Sequence, residues 1–137
     1  VSQLEPYDEW PDIELTVVAW LTQQLGGIAV QTETDDTLAD DVPLVQVQLV
    51  PGGSSDGVTE ESVVDVTSWA ADRAGMWALG KRAHAAMLRL STQRVNGWAI
   101  DWVSVDNGLG EVPYSNPRLR RAIGTYRLTT RAQATAV

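Results

Sequence analysis

The sequence contains no cysteine, which excludes disulfide frameworks, thiol nucleophiles and zinc–thiolate sites together and leaves the redox compartment unspecified. It has one histidine, His84, so the donor set of most transition-metal sites is missing as well. There is no phenylalanine, and the aromatic content rests on six tryptophans and three tyrosines. No lysine or arginine occurs before Arg73. No apolar run approaches the about 18 residues a membrane helix requires, since the best stretch, Leu15 to Leu25, is interrupted by Thr22, Gln23 and Gln24. The N-terminal stretch is acidic and lacks the basic start of a signal peptide. These absences predict a soluble chain that works in or from the cytoplasm and makes no membrane contact.

What is present is one domain's worth of chain, 137 residues with 44% hydrophobic content. A fold of this size buries about two-thirds of its unfolded surface without a staple. Charge is distributed unevenly. Of 18 acidic residues only Asp101, Asp106 and Glu111 follow residue 72, so the first 72 residues carry a formal −15 and the remainder, with all 10 cations, +7. The net −8 argues against general nucleic-acid affinity. The split itself has two readings: the halves intermingle and neutralise each other locally, or an acidic face of one copy meets a basic face of the next.

The periodicities predict an α+β fold, a mainly antiparallel sheet of four to five strands with two helices on one face, in the order α-β-β-β-α-β-β. The first helix runs from Pro11 to Leu25, with Ile13, Val17, Trp20, Leu21 and Gln24 at helical spacing and Gly26-Gly27 as its stop. A short strand, Ile28 to Thr32, precedes an acidic loop from Glu33 to Val42. Leu44 to Val50 and Ser62 to Trp69 alternate as half-buried strands around a Gly-rich loop, Pro51 to Thr59, forming a hairpin with a long tip. The strongest helix spans Ala71 to Leu90; Met76, Leu79, Gly80, Ala83, Ala86, Met87 and Leu90 form one stripe, with Lys81, Arg82, Ala85 and Arg89 opposite. After an Asn96-Gly97 turn, Trp98, Ile100 and Trp102 alternate against Ala99, Asp101 and Val103. A loop from Asn107 to Pro117 leads into the last strand, Leu119 to Arg131, where Ala122, Gly124, Tyr126 and Leu128 share a face. Trp10, Trp69 and Trp98 lie near element ends, where interface anchors occur.

Chemistry is harder to find. His84 has no orienting partner nominated by the sequence, as a general base would need. The Asp35-Asp36, Asp40-Asp41 loop has oxygen donors but lacks the ligand alternation and central glycine of an EF-hand. Gly26-Gly27 and Gly52-Gly53 are not followed by the Lys-Ser/Thr of a phosphate loop. Asp101 and Asp106, five apart on one strand, fall on opposite faces. Arg118, Arg120, Arg121, Arg127 and Arg131 offer cations for phosphate, without interleaved aromatics or a helix-turn-helix pattern, so salt bridges to acidic neighbours are favoured. No cofactor and no enzymatic turnover are expected. The candidate contact residues are Asp35, Asp36, Asp40, Asp41, Asp56 and Glu60 on the acidic side and Arg118, Arg120, Arg121 and Arg127 on the basic side.

Four segments, in order along nearly the whole chain, resemble the tail terminator proteins of long-tailed phages, particularly those of actinobacteria. They are E-W-P-D-I-E-L from Glu9, L-V-Q-V-Q-L-V-P-G-G from Leu44, D-V-T-S-W-A-A-D-R-A from Asp65, and V-P-Y-S-N-P-R-L-R-R followed by G-T-Y-R-L-T-T-R from Val112 to Arg131. The resemblance implies a sheet packed on helices and a homo-oligomeric ring, usually of six copies. Such a ring caps the head-proximal end of the tail tube, stops its growth and joins it to head-closure or connector proteins, with the tape-measure protein as a further candidate partner. Viral DNA would only pass through the lumen. The resemblance further implies assembly in the host cytoplasm and a final place at the head–tail interface of the virion. A different neck protein, or an unrelated ligand-binding domain or enzyme, are the alternatives.

Overall fold

In the computed structural model, residues 12–131 are described. The elements are α1 (Ile13–Leu25), β1 (Ala29–Gln31), α2 (Leu38–Asp41), β2 (Leu44–Ser55), β3 (Thr59–Ala70), α3 (Arg73–Arg89), β4 (Arg94–Val95), β5 (Trp98–Glu111) and β6 (Arg120–Arg131). The strands form a curled six-stranded sheet in the order β1-β2-β3-β6-β5-β4. Every pairing is antiparallel except β1 with β2, which is parallel. The α+β class is as expected, but six strands replace the expected four to five, and the short α2 lies within the acidic loop.

Both long helices cover one face of the sheet, as their apolar stripes require. Ile13, Val17, Trp20, Leu21 and Leu25 of α1 join Leu79, Ala83, Ala86 and Met87 of α3 over Val45, Val47, Val64, Val66, Tyr126 and Leu128. Asp12 caps α1 by accepting from the Leu15 amide at 3.2 Å, so the helix starts two residues after the expected Pro11, which lies outside the described residues. Gly26 and Gly27, at φ 38° and 85°, stop it in backbone space that a side chain disfavours. The Trp20 indole donates to the Ala86 carbonyl at 2.8 Å, tying α1 to α3. At Gly80 an added Cβ would lie 3.2 Å from Leu109 Cδ2 and 3.6 Å from Ala122 Cβ, so the missing side chain is what lets α3 approach β5 and β6.

Three departures from alternation reshape the sheet. The Pro51–Thr59 stretch is not a loop. β2 and β3 continue through it, pairing Ser54 with Glu61 and Ser55 with Glu60 after a bulge beyond Val50, so the turn shrinks to Asp56–Val58. β5 likewise runs to Glu111, through the expected Asn107–Pro117 loop, with irregular pairing past Val105. A bulge between Ile100 and Trp102 reverses facing: Ile100 and Val103 are buried against the helices, while Trp102 is 59% exposed on the outer face. Bulges insert one unpaired residue and so shift the period-2 pattern by one.

Candidate assembly surfaces on the sheet and its edges

The outer face of the sheet, opposite the helices, is held by polar and aromatic side chains from three of the resembling segments. At one end Trp69 of β3 is 4% exposed, packed with Leu38, Leu44 and Leu119. Its indole donates to Gln46 Oε1 at 3.2 Å. The Tyr114 ring meets it edge-on at 4.9 Å, and the Arg121 guanidinium lies 5.5 Å from the Trp69 ring and 5.0 Å from that of Tyr114. Arg121 also donates to the Val112 and Pro113 carbonyls at 3.3 and 3.1 Å. Asn116 accepts from the Arg118 amide at 2.9 Å and closes the turn that brings Leu119 under Trp69. The V-P-Y-S-N-P-R-L-R-R segment is therefore a clasp over Trp69.

Further along the same face Thr125 donates to Asp65 at 2.6 Å. Arg127 donates to both Asp106 oxygens at 3.2 Å and to the Gly52 carbonyl at 3.0 Å, and lies 3.6 Å from Glu61. The Asp106 hydrogen bond is the first cause of a guanidinium pKa held above its ordinary value. Arg131 pairs with Asp101 at 2.9 Å. On the inner face Gly124 leaves room for Tyr126, whose Oη would lie 2.7 Å from any Cβ added there. The Tyr126 hydroxyl in turn sits 2.7 Å from His84 Nδ1. His84 thus has a partner that the sequence did not nominate. Burial pushes the Tyr126 phenol up to about 12, so at neutral pH the pair is a neutral hydroxyl bonded to a half-buried imidazole.

The expected contact residues divide. All four cations are engaged within the subunit: Arg118 with Asp40 at 3.3 Å, Arg120 with Glu111 at 3.0 Å, Arg121 in the clasp and Arg127 in its three-way bridge. Reversing Arg120 and Arg121 together would therefore damage the fold before it tested an interface. Of the acids, Asp40 is paired and Asp56 caps the hairpin turn, its carboxyl lowered by the Thr59 and Val58 amides. Asp35 and Asp41 both lie 2.6 Å from the Thr37 hydroxyl, and the Thr37 side-chain bond leads in lowering Asp35. Asp36 and Glu60 have no cation partner among the described residues, and burial pushes the Glu60 carboxyl up. Besides Arg121, whose partners are carbonyls and rings, the cations without a carboxylate partner there are Lys81, Arg82 and Arg89 on α3 and Arg94 on β4, which composition did not single out. Local neutralisation thus accounts for part of the charge split and leaves the rest on the surface. Among the described residues no three acidic or histidine side chains converge as a metal site.

Both long edges of the sheet are blunted by side chains. β1 covers β2 only from Leu44 to Gln46; beyond it the Leu49 amide donates to Glu14 Oε2 at 2.8 Å, and Pro51 has no amide to offer. β4 covers β5 only at Trp98 and Ala99; beyond it Ser91 Oγ accepts from the Val103 amide at 2.7 Å. At Leu49 and Val103 the edge amides are thus taken, and contacts with other chains beside them run through side chains. The large exposed apolar residues available for that are Leu15, Leu49, Val58, Leu88, Trp102, Val105 and Tyr114. Trp10 lies outside the described residues, Trp98 is half-buried, and the exposed anchor Trp102 escaped the sequence because alternation placed it beside Ile100.

No protein-family model and no curated protein matches the chain. Among solved structures it is similar to a chain of the virion of a native gene transfer agent particle, with a TM-score of 0.51 and 15% identity, over 92% of this chain and 91% of that one. At that identity the likeness shows a shared fold.

Proposed function

We propose that this chain is a structural virion protein of a phage-type particle, and specifically a tail terminator. In this role it forms a ring, of six copies as the resemblance implies, on the head-proximal end of the tail tube. The ring covers the surface the next tube ring would occupy and offers its other side to the head-closure or connector proteins. The observation that carries the virion role is the end-to-end likeness to a virion chain, which leaves little of either chain outside the common fold. The terminator role rests on the four segments. Three of them meet on the outer sheet face, in the Trp69 clasp, the Asp65–Thr125 bond and the Arg127 bridge.

The work is done by geometry, without turnover. His84, the one histidine, is bonded to the Tyr126 hydroxyl. A ring gains affinity by summing modest contacts over several subunits, so a persistent cap needs no strong single contact. The test is a reconstitution of tails from tube and tape-measure proteins with and without this chain. Terminator action gives tails of one length that join heads only when the chain is present. Tails of normal length that fail to join heads would make it a head-closure protein instead. Equal length and equal joining in its absence would reject both.

A further inference from the structure

We propose that the open groove at the root of the β2–β3 hairpin is the socket for α3 of a second copy of this chain, with Glu60 meeting Lys81 and Leu49 meeting Leu88. The groove holds about 340 Å³ and is lined by Leu49, Val50, Gly53, Glu60, Glu61 and Val63. It exists because the bulge after Val50 lets the hairpin bend, and because Gly53 has no side chain where its backbone crosses the Glu61 carbonyl. Two of its side chains are left incomplete by the described residues. Leu49 is 52% exposed although it lies in a sheet whose other inward residues, Val45 and Val47, are fully buried. Glu60 is half-buried, and its neighbour Glu61 takes the cation Arg127 while Glu60 has none among the described residues. A partly desolvated carboxylate beside an uncovered leucine fits a partner that brings one cation and one aliphatic group.

α3 carries that pair. Leu88 is 43% exposed on the outer side of the helix, opposite its buried stripe, and Lys81 stands seven residues earlier, two helical turns along the same line. Neither finds a complement among the described residues, where Lys81 has no ion pair and α3 packs on β3, β5, β6 and α1. Arg82 and Arg89 keep the rest of this helix face positive, and Asp56 adds to the negative charge of Glu60 on the hairpin. Both halves of the match reside on one chain at two different surfaces. That arrangement is heterologous, and heterologous contacts close into rings or run on as filaments. The ring reading above is what selects a second copy as the occupant. The two long sheet edges, blunted at Leu49 and Val103, are not used as ladders in this contact.

The test is a charge swap within one chain, read by mass photometry and sedimentation over a concentration series. Wild type should form closed species larger than dimers that loosen as salt rises. Glu60→Lys and Lys81→Glu should each weaken association at least tenfold, and the double variant should recover to within about threefold of wild type, because every interface then holds the reversed pair. Leu88→Asp should abolish assembly. Glu60→Gln, which keeps the hairpin's shape, covers the case in which the lysine misfolds, and should weaken association by a smaller factor. A wild type that stays monomeric or stops at dimers overturns the socket, as do single variants that assemble normally or a double variant no better than either single. Tail-length control by a ring that shows no charge-swap pattern would remove this interface and keep the terminator role. The swap pattern without tail-length control would do the reverse.

Discussion

Arg120 and Arg121 are adjacent, carry the same charge, and should differ sharply on removal. Arg120 makes one ion pair with Glu111, and its side chain is 50% exposed. Such pairs contribute about 0–1 kcal/mol. Arg121 donates to two loop carbonyls and lies over two aromatic rings. Hydrogen bonds from a charged donor stabilise by about 1.5–3 kcal/mol when well formed, and a cation over an exposed ring by about 0.5–1 kcal/mol. The carbonyls at 3.3 and 3.1 Å are long contacts that water can replace in part, which brings Arg121→Ala to a loss of about 2 kcal/mol. Arg121→Lys keeps the charge but not the planar fork, and should lose roughly half as much. Urea unfolding at high salt, with the protein dilute enough to be monomeric by mass photometry, reads the difference from the shift in midpoint at constant slope. Trp69 fluorescence should also rise in solvent exposure in Arg121→Ala alone. Equal losses at the two positions would refute the clasp and return Arg121 to the pool of interface candidates.

The Tyr126 phenol stays protonated in the fold up to about 12 against an ordinary 10.0, so the stability it contributes is fully present below pH 10 and drains away as pH rises toward 12. The alkaline loss should be on the order of 3 kcal/mol, and Tyr126→Phe should lack that component while giving up about 1 kcal/mol at neutral pH; an unchanged alkaline limb would show the hydroxyl is not the group responsible. Gly124→Ala places a Cβ 3.1 Å from the Tyr126 ring and should cost about 1–3 kcal/mol in thermal or urea unfolding, with loss of the His84 contact visible in the imidazole ring chemical shifts by NMR. A neutral Gly124→Ala would mean the ring shifts freely. His84→Ala leaves a buried hydroxyl unpaired, so it should destabilise modestly and leave assembly unchanged at temperatures below unfolding; lost assembly in a folded variant would contradict a purely internal role.

The two helices and the inner faces of β2, β3 and β6 were legible because each is long and each buries one side. The α3 stripe from Met76 to Leu90 is buried as read, and Ala122, Gly124, Tyr126 and Leu128 face inward together. The strand count was not legible. β4 has two residues, too few for a period, and although β1 falls within the expected Ile28–Thr32 strand, its three residues do not reveal that it pairs parallel to β2. The polar, glycine-rich strand ends from Pro51 to Ser55 and Asn107 to Glu111 read as loops because their ladder partners, not their propensities, hold them extended. Bulges leave no mark in the sequence, which hid Trp102. Charge was misassigned for a similar reason. Composition separates the signs but not the cations that find an internal partner in the fold, carboxylates for Arg118, Arg120 and Arg127 and carbonyls for Arg121, so these four stood out while Lys81 did not.

The most direct test of the chain's role is its position in the particle. Gold labelling of an epitope-tagged copy in intact virions, viewed by electron microscopy, should place label at the junction of head and tail on each particle, and isolated tails should carry it only at the end that meets the head. Label along the tube, over the head shell or at the distal tip, or particles that contain none of the chain, would contradict a ring that ends the tube.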